Sequence, residues 1–281
     1  MRWDTSTRSL AIVVLTFPSA AFAQSDYAMS PVQFPSAFNV NAVSQIGQSY
    51  RAPSTEALLA PPISVNRSDI AKELRFNASP TRRRANLAQF VAKSRAADPQ
   101  GAAAMERLFA QGDFIAAMGQ QLRPLGLRVD NVADAYAVYW VSAWQAAHGD
   151  TRTIERDTMQ AARGQAARAL AATPELAGAS DAQKQEFAEA LLVQAALIGA
   201  MQDQYKDDGK LMPQVSAAVR KGAKASGLDL DAMTLTDAGF VPAERVGAAK
   251  ATGTSPVLLA AAGGAGLGAM FLLGRAFGRR A

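Results

Sequence analysis

From about residue 80 to residue 225 the apolar positions recur at three- and four-residue spacing, the signature of amphipathic helices. Ser79-Pro80 opens the first, an N-cap hydroxyl followed by proline, and Leu87, Phe90 and Val91 form its stripe to Arg95. Pro99 to Gln111 carries Met105, Leu108 and Phe109. After Gly112-Asp113, the segment Phe114 to Leu122 presents Phe114, Ile115, Met118 and Leu122 until Pro124 stops it. Asp130 or Asn131 caps a helix to Ala147 that carries no charge from Ala135 onward and holds Tyr136, Tyr139, Trp140 and Trp144. A helix apolar all round belongs in a bundle centre. Glu155 to Ala171 is alanine-rich with arginines on its outer side. Ser180 to Gln183 forms a capping box that opens the longest helix, to about Tyr205, and Pro213 to Ala225 ends at Gly227. No alternating β-branched run competes and no fixed-period repeat is present. The pattern predicts an all-α fold, a single multi-helix bundle over residues 67–240.

The two ends follow different rules. Arg2 and Arg8, the apolar core Leu10 to Phe17, and Ala21-Phe22-Ala23 read as an export signal over residues 1–23, leaving Gln24 as the mature N-terminus; an uncleaved anchor is the alternative. Residues 24–66 hold Pro31, Pro35, Pro53, Pro61 and Pro62 among Ser, Asn and Gln. They show no persistent period, so they read as a disordered lead segment. Residues 241–255 read as a tether. Residues 256–274 read as a transmembrane helix opened by Ser255-Pro256, and 275–281 as a basic cytoplasmic tail with Arg275, Arg279 and Arg280. Seven strongly apolar side chains in this run contribute about −3 kcal/mol to insertion, weakened by four glycines, so insertion is favourable by a small margin. Gly264 and Gly268 have the small-xxx-small spacing that lets two such helices approach. The trailing arginines and the export signal place the domain on the same side. That implies a periplasmic domain anchored in the inner membrane. The competing reading is a sorting tail removed after export, although the short recognition motif of such tails is absent. An interfacial helix would need a polar face that the run lacks.

Charge changes the picture by subtraction. The chain carries a formal net charge of +5 and a pI near 9.6. The export signal holds two arginines and one aspartate, and the last 26 residues hold three arginines and no acid, which leaves 24 basic against 23 acidic residues. The exported body is near neutral, which argues against a nucleic-acid partner. Zero cysteines exclude disulfides, thiol nucleophiles and thiolate metal sites.

Candidate chemistry is sparse. Arg82, Arg83 and Arg84 fall in the first turn of a helix, where the dipole disfavours cations by ~0.3–1 kcal/mol each. They are candidate contacts for an anionic partner, against the plainer reading of a solvated face with intramolecular pairing. Tyr136, Trp140 and Trp144 are candidate pocket-lining residues, against core packing. His148 is alone; with no cysteine, a zinc site would need carboxylates to complete it. Asp207-Asp208-Gly209 lacks the remaining ligands of an EF-hand and reads as a turn. Glu186 and Glu189, three apart on one helix, are the obvious carboxylate pair for sugar hydrolysis, and solvated surface acids are the plainer account. No catalytic residue, metal or cofactor is implied.

The residues Thr81-Arg82-Arg83-Arg84-Ala85-Asn86-Leu87, the run Asp130 to Tyr136 leading to Trp144, and Leu228-Asp229-Leu230-Asp231 carry a resemblance. Over about residues 74–241 the chain resembles a family of exported bacterial proteins known only as a domain of unknown function. The resemblance implies no activity, ligand or site residue. The expectation is therefore an exported, membrane-tethered helical interaction or scaffolding module of the cell envelope. It would meet the membrane through its C-terminal helix, and an envelope protein or itself through its domain. The alternatives are an envelope hydrolase acting on cell-wall glycan through carboxylates, and a small-molecule binder using the aromatic helix.

Overall fold

The computed structural model describes residues 52–61, 73–96 and 98–243. In chain order they form α1 (Thr55–Leu59), α2 (Pro80–Arg95), α3 (Pro99–Ala110), α4 (Phe114–Leu122), α5 (Val132–His148), α6 (Arg156–Ala171), α7 (Pro174–Ala177), α8 (Asp181–Tyr205), α9 (Leu211–Ala225), β1 (Met233–Thr236) and β2 (Gly239–Pro242). Single 3-10 turns at Arg123–Leu125 and Leu230–Ala232 join neighbouring elements.

The caps fix the boundaries. Ser79 accepts from the Arg82 amide, Asp98 from Gly101, Asp113 from Ala116, and Asn131 from both Ala133 and Asp134. Ser180 and Gln183 form the reciprocal capping box. Gly149 ends α5 at φ +62°, a left-handed position where a Cβ is strained.

The most extensive helix–helix packing is α5 against α8, with α6 and α9 also laid against α5. Almost every residue of α5 is buried, as expected of a central helix, and α8 is buried around most of its girth as well. Ala162, Ala166 and Ala169 put small side chains in the core and allow α6 to approach closely.

Two expectations need correction. The fold is mostly helical rather than all-α: β1 and β2 form an antiparallel hairpin in register Met233↔Pro242 to Thr236↔Gly239. Its alternation spans four residues, too short to stand out from sequence, and tertiary packing makes the strand. Met233, Leu235 and Phe240 all enter the core. Pro242 therefore belongs to the domain and not to a tether. The lead segment also holds ordered structure. Ser54 caps α1, Leu58 is buried, and Thr55 Oγ1 donates to the Gly227 carbonyl (3.2 Å) while accepting from the Asp229 amide (2.8 Å). A five-residue amphipathic turn between prolines leaves no periodic trace.

Among the described residues no helix is long and apolar enough to cross a membrane. The export signal, most of the lead segment, the tether beyond 243, the apolar run 256–274 and the basic tail lie outside the described residues.

Candidate functional site

The three consecutive arginines of α2 part company. A helix turns 100° per residue, so only one of three neighbours points inward. Arg83 does. Its Nε donates to Glu189 Oε1 (2.8 Å) and its Nη1 to Asp113 (2.6 Å). Arg82 and Arg84 are exposed and have no carboxylate partner among the described residues. Intramolecular pairing thus accounts for Arg83 alone.

Glu189 is the residue that sequence reasoning placed wrongly. It is 1% exposed on α8 and is no solvated acid. Oε1 also accepts from Gln185 Nε2 (2.9 Å), and Oε2 accepts from Asn86 Nδ2 (2.7 Å). Gln185 in turn accepts from the Ser79 amide and donates to the Ser79 carbonyl, both at 2.9 Å, tying the start of α2 to α8. The legible signal was one polar face per helix, Arg83 with Asn86 at i,i+3 and Gln185 with Glu189 at i,i+4. Glu186 is half-buried beside Glu189, and the crevice they line with Asn86, Gln89, Phe90 and Val193 has room for about one water molecule (10 Å³).

A second polar centre sits where α5 begins. Asp134 is completely buried, accepts from the Arg128 amide (2.9 Å), and pairs with Arg163 of α6. Burial pushes its carboxyl above the ordinary range, and the Arg163 guanidinium only partly offsets this. Asp130 behaves oppositely. Arg128 grips it with two hydrogen bonds at 2.7 Å and Arg75 touches it at 3.4 Å, so its carboxyl stays below the ordinary range. Arg75 forms an isolated antiparallel bridge with Asn131 beside this corner: the Phe76 amide donates to the Asp130 carbonyl (3.2 Å) and the Val132 amide to the Leu74 carbonyl (2.9 Å). Beyond that bridge lies an open groove of about 430 Å³, lined by Arg75, Phe76, Asn77, Ala78, Asp130 and Asp181. Nothing in the periodicity of residues 73–79 pointed to it.

The aromatic stripe is spent on packing. Trp140 is fully buried, stacked on Phe240 with ring centroids 4.0 Å apart, and its Nε1 donates to Met233 Sδ (3.0 Å). Tyr136 and Tyr139 meet edge to face at 6.2 Å. Burial pushes the Tyr139 hydroxyl up to about 12 and Tyr136 further still. Trp144 donates from Nε1 to the Met233 carbonyl (3.0 Å) and stacks on His148 at 4.6 Å. The hairpin fills the space that a ligand beside Trp140 would need.

His148 holds the end of α5. Its Nδ1 lies 2.9 Å from the Trp144 carbonyl and its Nε2 lies 3.7 Å from Asp231, which Arg220 also binds at 2.8 Å. Asp208 Oδ1 accepts from the Lys210 and Leu211 amides at 2.8 and 2.9 Å, so the Asp207-Asp208-Gly209 run is a turn leading into α9. Among the described residues no three His, Cys, Asp or Glu side chains converge as metal ligands would.

Comparison with curated proteins and with solved structures yields no match. A family model does match, over residues 8–242, which takes in the lead segment that the resemblance left out and stops at the last residue of β2. Spanning most of the chain, this match shows that the protein belongs to a family of unknown function, DUF6683.

Proposed function

We propose that the chain is an exported, membrane-tethered helical module of the bacterial cell envelope that works by binding and not by catalysis. The observation that carries this reading is the state of the three buried carboxylates among the described residues, Asp98, Asp134 and Glu189. Asp98 caps α3 through Oδ1, and its Oδ2 is buried without a hydrogen-bond partner among the described residues. A catalytic acid needs an open approach from a substrate and a free lone pair or proton. Glu189 has both oxygens occupied by Arg83, Gln185 and Asn86, beside a crevice the size of one water. Asp134 is closed in by Arg163 and the Arg128 amide. The groove beside residues 75–78, by contrast, is polar and open, and it suits another chain.

Export is supported by the n-region, apolar core and small-x-small site of residues 1–23. The tether is supported by the uncharged stretch Ala251 to Gly274 and the arginines after it. The near-neutral body supports a protein partner over nucleic acid. Arg82 and Arg84, cations facing solvent at a helix start, suit an anionic patch on such a partner.

Zymography on cell-wall material tests the reading against the hydrolase alternative. The expected result is no cleared zone. A zone that disappears in Glu189→Gln, with the fold intact, would replace binding by catalysis.

A further inference from the structure

We propose that the groove beside residues 75–78 takes an extended peptide of a partner, added as a strand and carrying a lysine or arginine. The inference rests on the binding role above and names the chemical class of the partner.

The backbone supplies the first half of the argument. In an antiparallel pair, alternate residues turn their N–H and C=O toward the neighbouring strand. Leu74 spends its carbonyl on the Val132 amide, and Phe76 its amide on the Asp130 carbonyl. Arg75, bridged to Asn131, therefore turns its N–H and C=O the other way, and neither these nor the backbone groups of Asn77, which also lines the groove, have a hydrogen-bond partner among the described residues. An unpaired strand edge is a template for a further strand.

Charge supplies the second half. Of the ionic groups lining the groove, Asp130 and Asp181 are acidic and only Arg75 is basic. Asp130 is already held by Arg128 and Arg75. Asp181 is exposed and accepts only from Asn77 Nδ2, on one oxygen at 2.8 Å, which leaves the other open among the described residues. A cationic side chain placed at Asp181 finds a partner; an acidic one meets like charge.

The test uses the full chain in mild detergent, panned against a random heptapeptide library. Selected peptides are expected to carry Lys or Arg at alternating positions. Arg75 and Asn77 amides should exchange quickly in the free chain and slowly with a selected synthetic peptide present. Backbone N-methylation of that peptide should abolish binding. Asp181→Lys should weaken binding about tenfold through like-charge contact, and Asp181→Asn, which keeps an acceptor for Asn77, should weaken it less. Enrichment of acidic peptides, unchanged affinity in Asp181→Lys, or amides already protected in the free chain (its own segment or a second copy filling the edge) would overturn the proposal. If no peptide is selected while cell-wall material stays intact, the groove loses its role and the binding function stands. A cleared zone would remove both.

Discussion

Replacing Glu189 by alanine removes one member of a buried, hydrogen-bonded charge network. Breaking a buried ion pair from one side costs about 3–5 kcal/mol, because the remaining charge keeps its desolvation penalty and loses its partner. The structure puts this case near the lower end. Arg83 is left 12% exposed but keeps Asp113, itself 45% exposed, at 2.6 Å. Asn86 and Gln185 each lose an acceptor, at about 1–3 kcal/mol per unsatisfied buried group, partly relieved by water entering the crevice. A loss near 3 kcal/mol follows. With a urea slope of ~1–3 kcal/mol/M, the midpoint read by tryptophan fluorescence falls by about 1–3 M. The double variant Arg83→Met, Glu189→Leu recovers only the ionic part of that loss, since it avoids the stranded charge while Asn86 and Gln185 still lack their acceptor. A midpoint within experimental error of the parent in Glu189→Ala would refute the buried network.

Three further outcomes follow from the same geometry. Asp134 has its folded-state carboxyl above the ordinary value of 3.8, so the native state binds the proton more readily and stability falls as pH rises from about 3.8 through the folded value; urea titrations of parent and Asp134→Asn should differ by that falling limb, and parallel curves would contradict it. Trp140→Ala empties a fully buried site against Phe240 and should cost about 3–5 kcal/mol, with loss of near-ultraviolet dichroism; a change under 1 kcal/mol would mean the ring packs elsewhere. Gly239→Ala places a Cβ at φ +95° and within 2.6 Å of Gln165 Oε1 and 3.3 Å of the Ala161 backbone, so thermal unfolding should occur several degrees lower, and an unchanged midpoint would contradict the hairpin geometry.

What the sequence made legible was whatever is written locally. Ser79, Asn131, the Ser180–Gln183 box and Gly149 mark helix ends because a cap is a contact between near neighbours. The uncharged run in α5 marked the centre because burial on all sides forbids charge. What stayed hidden depends on partners far along the chain. Glu189 looked like any surface acid until Arg83 and Asn86, more than a hundred positions earlier, came to meet it. Asp134 sat unread inside an apolar helix, although a carboxylate there already asks for a counter-ion, which Arg163 provides. The hairpin escaped because Met233-Thr234-Leu235-Thr236 is too short to assert a period, and its fate is set by Trp140 and Trp144. The groove is formed by an irregular stretch, residues 75–78, held in place where Leu74 and Phe76 bond to Val132 and Asp130 at the start of α5.

The central claim is a binding domain held outside the cytoplasm at a membrane, and cell fractionation with mass spectrometry of the termini addresses it most directly. The account predicts a chain that begins at Gln24, sediments with membranes through an alkaline wash, and loses its domain to protease added from outside the inner membrane. Recovery of the whole chain from the cytosol with Met1 still in place would contradict it.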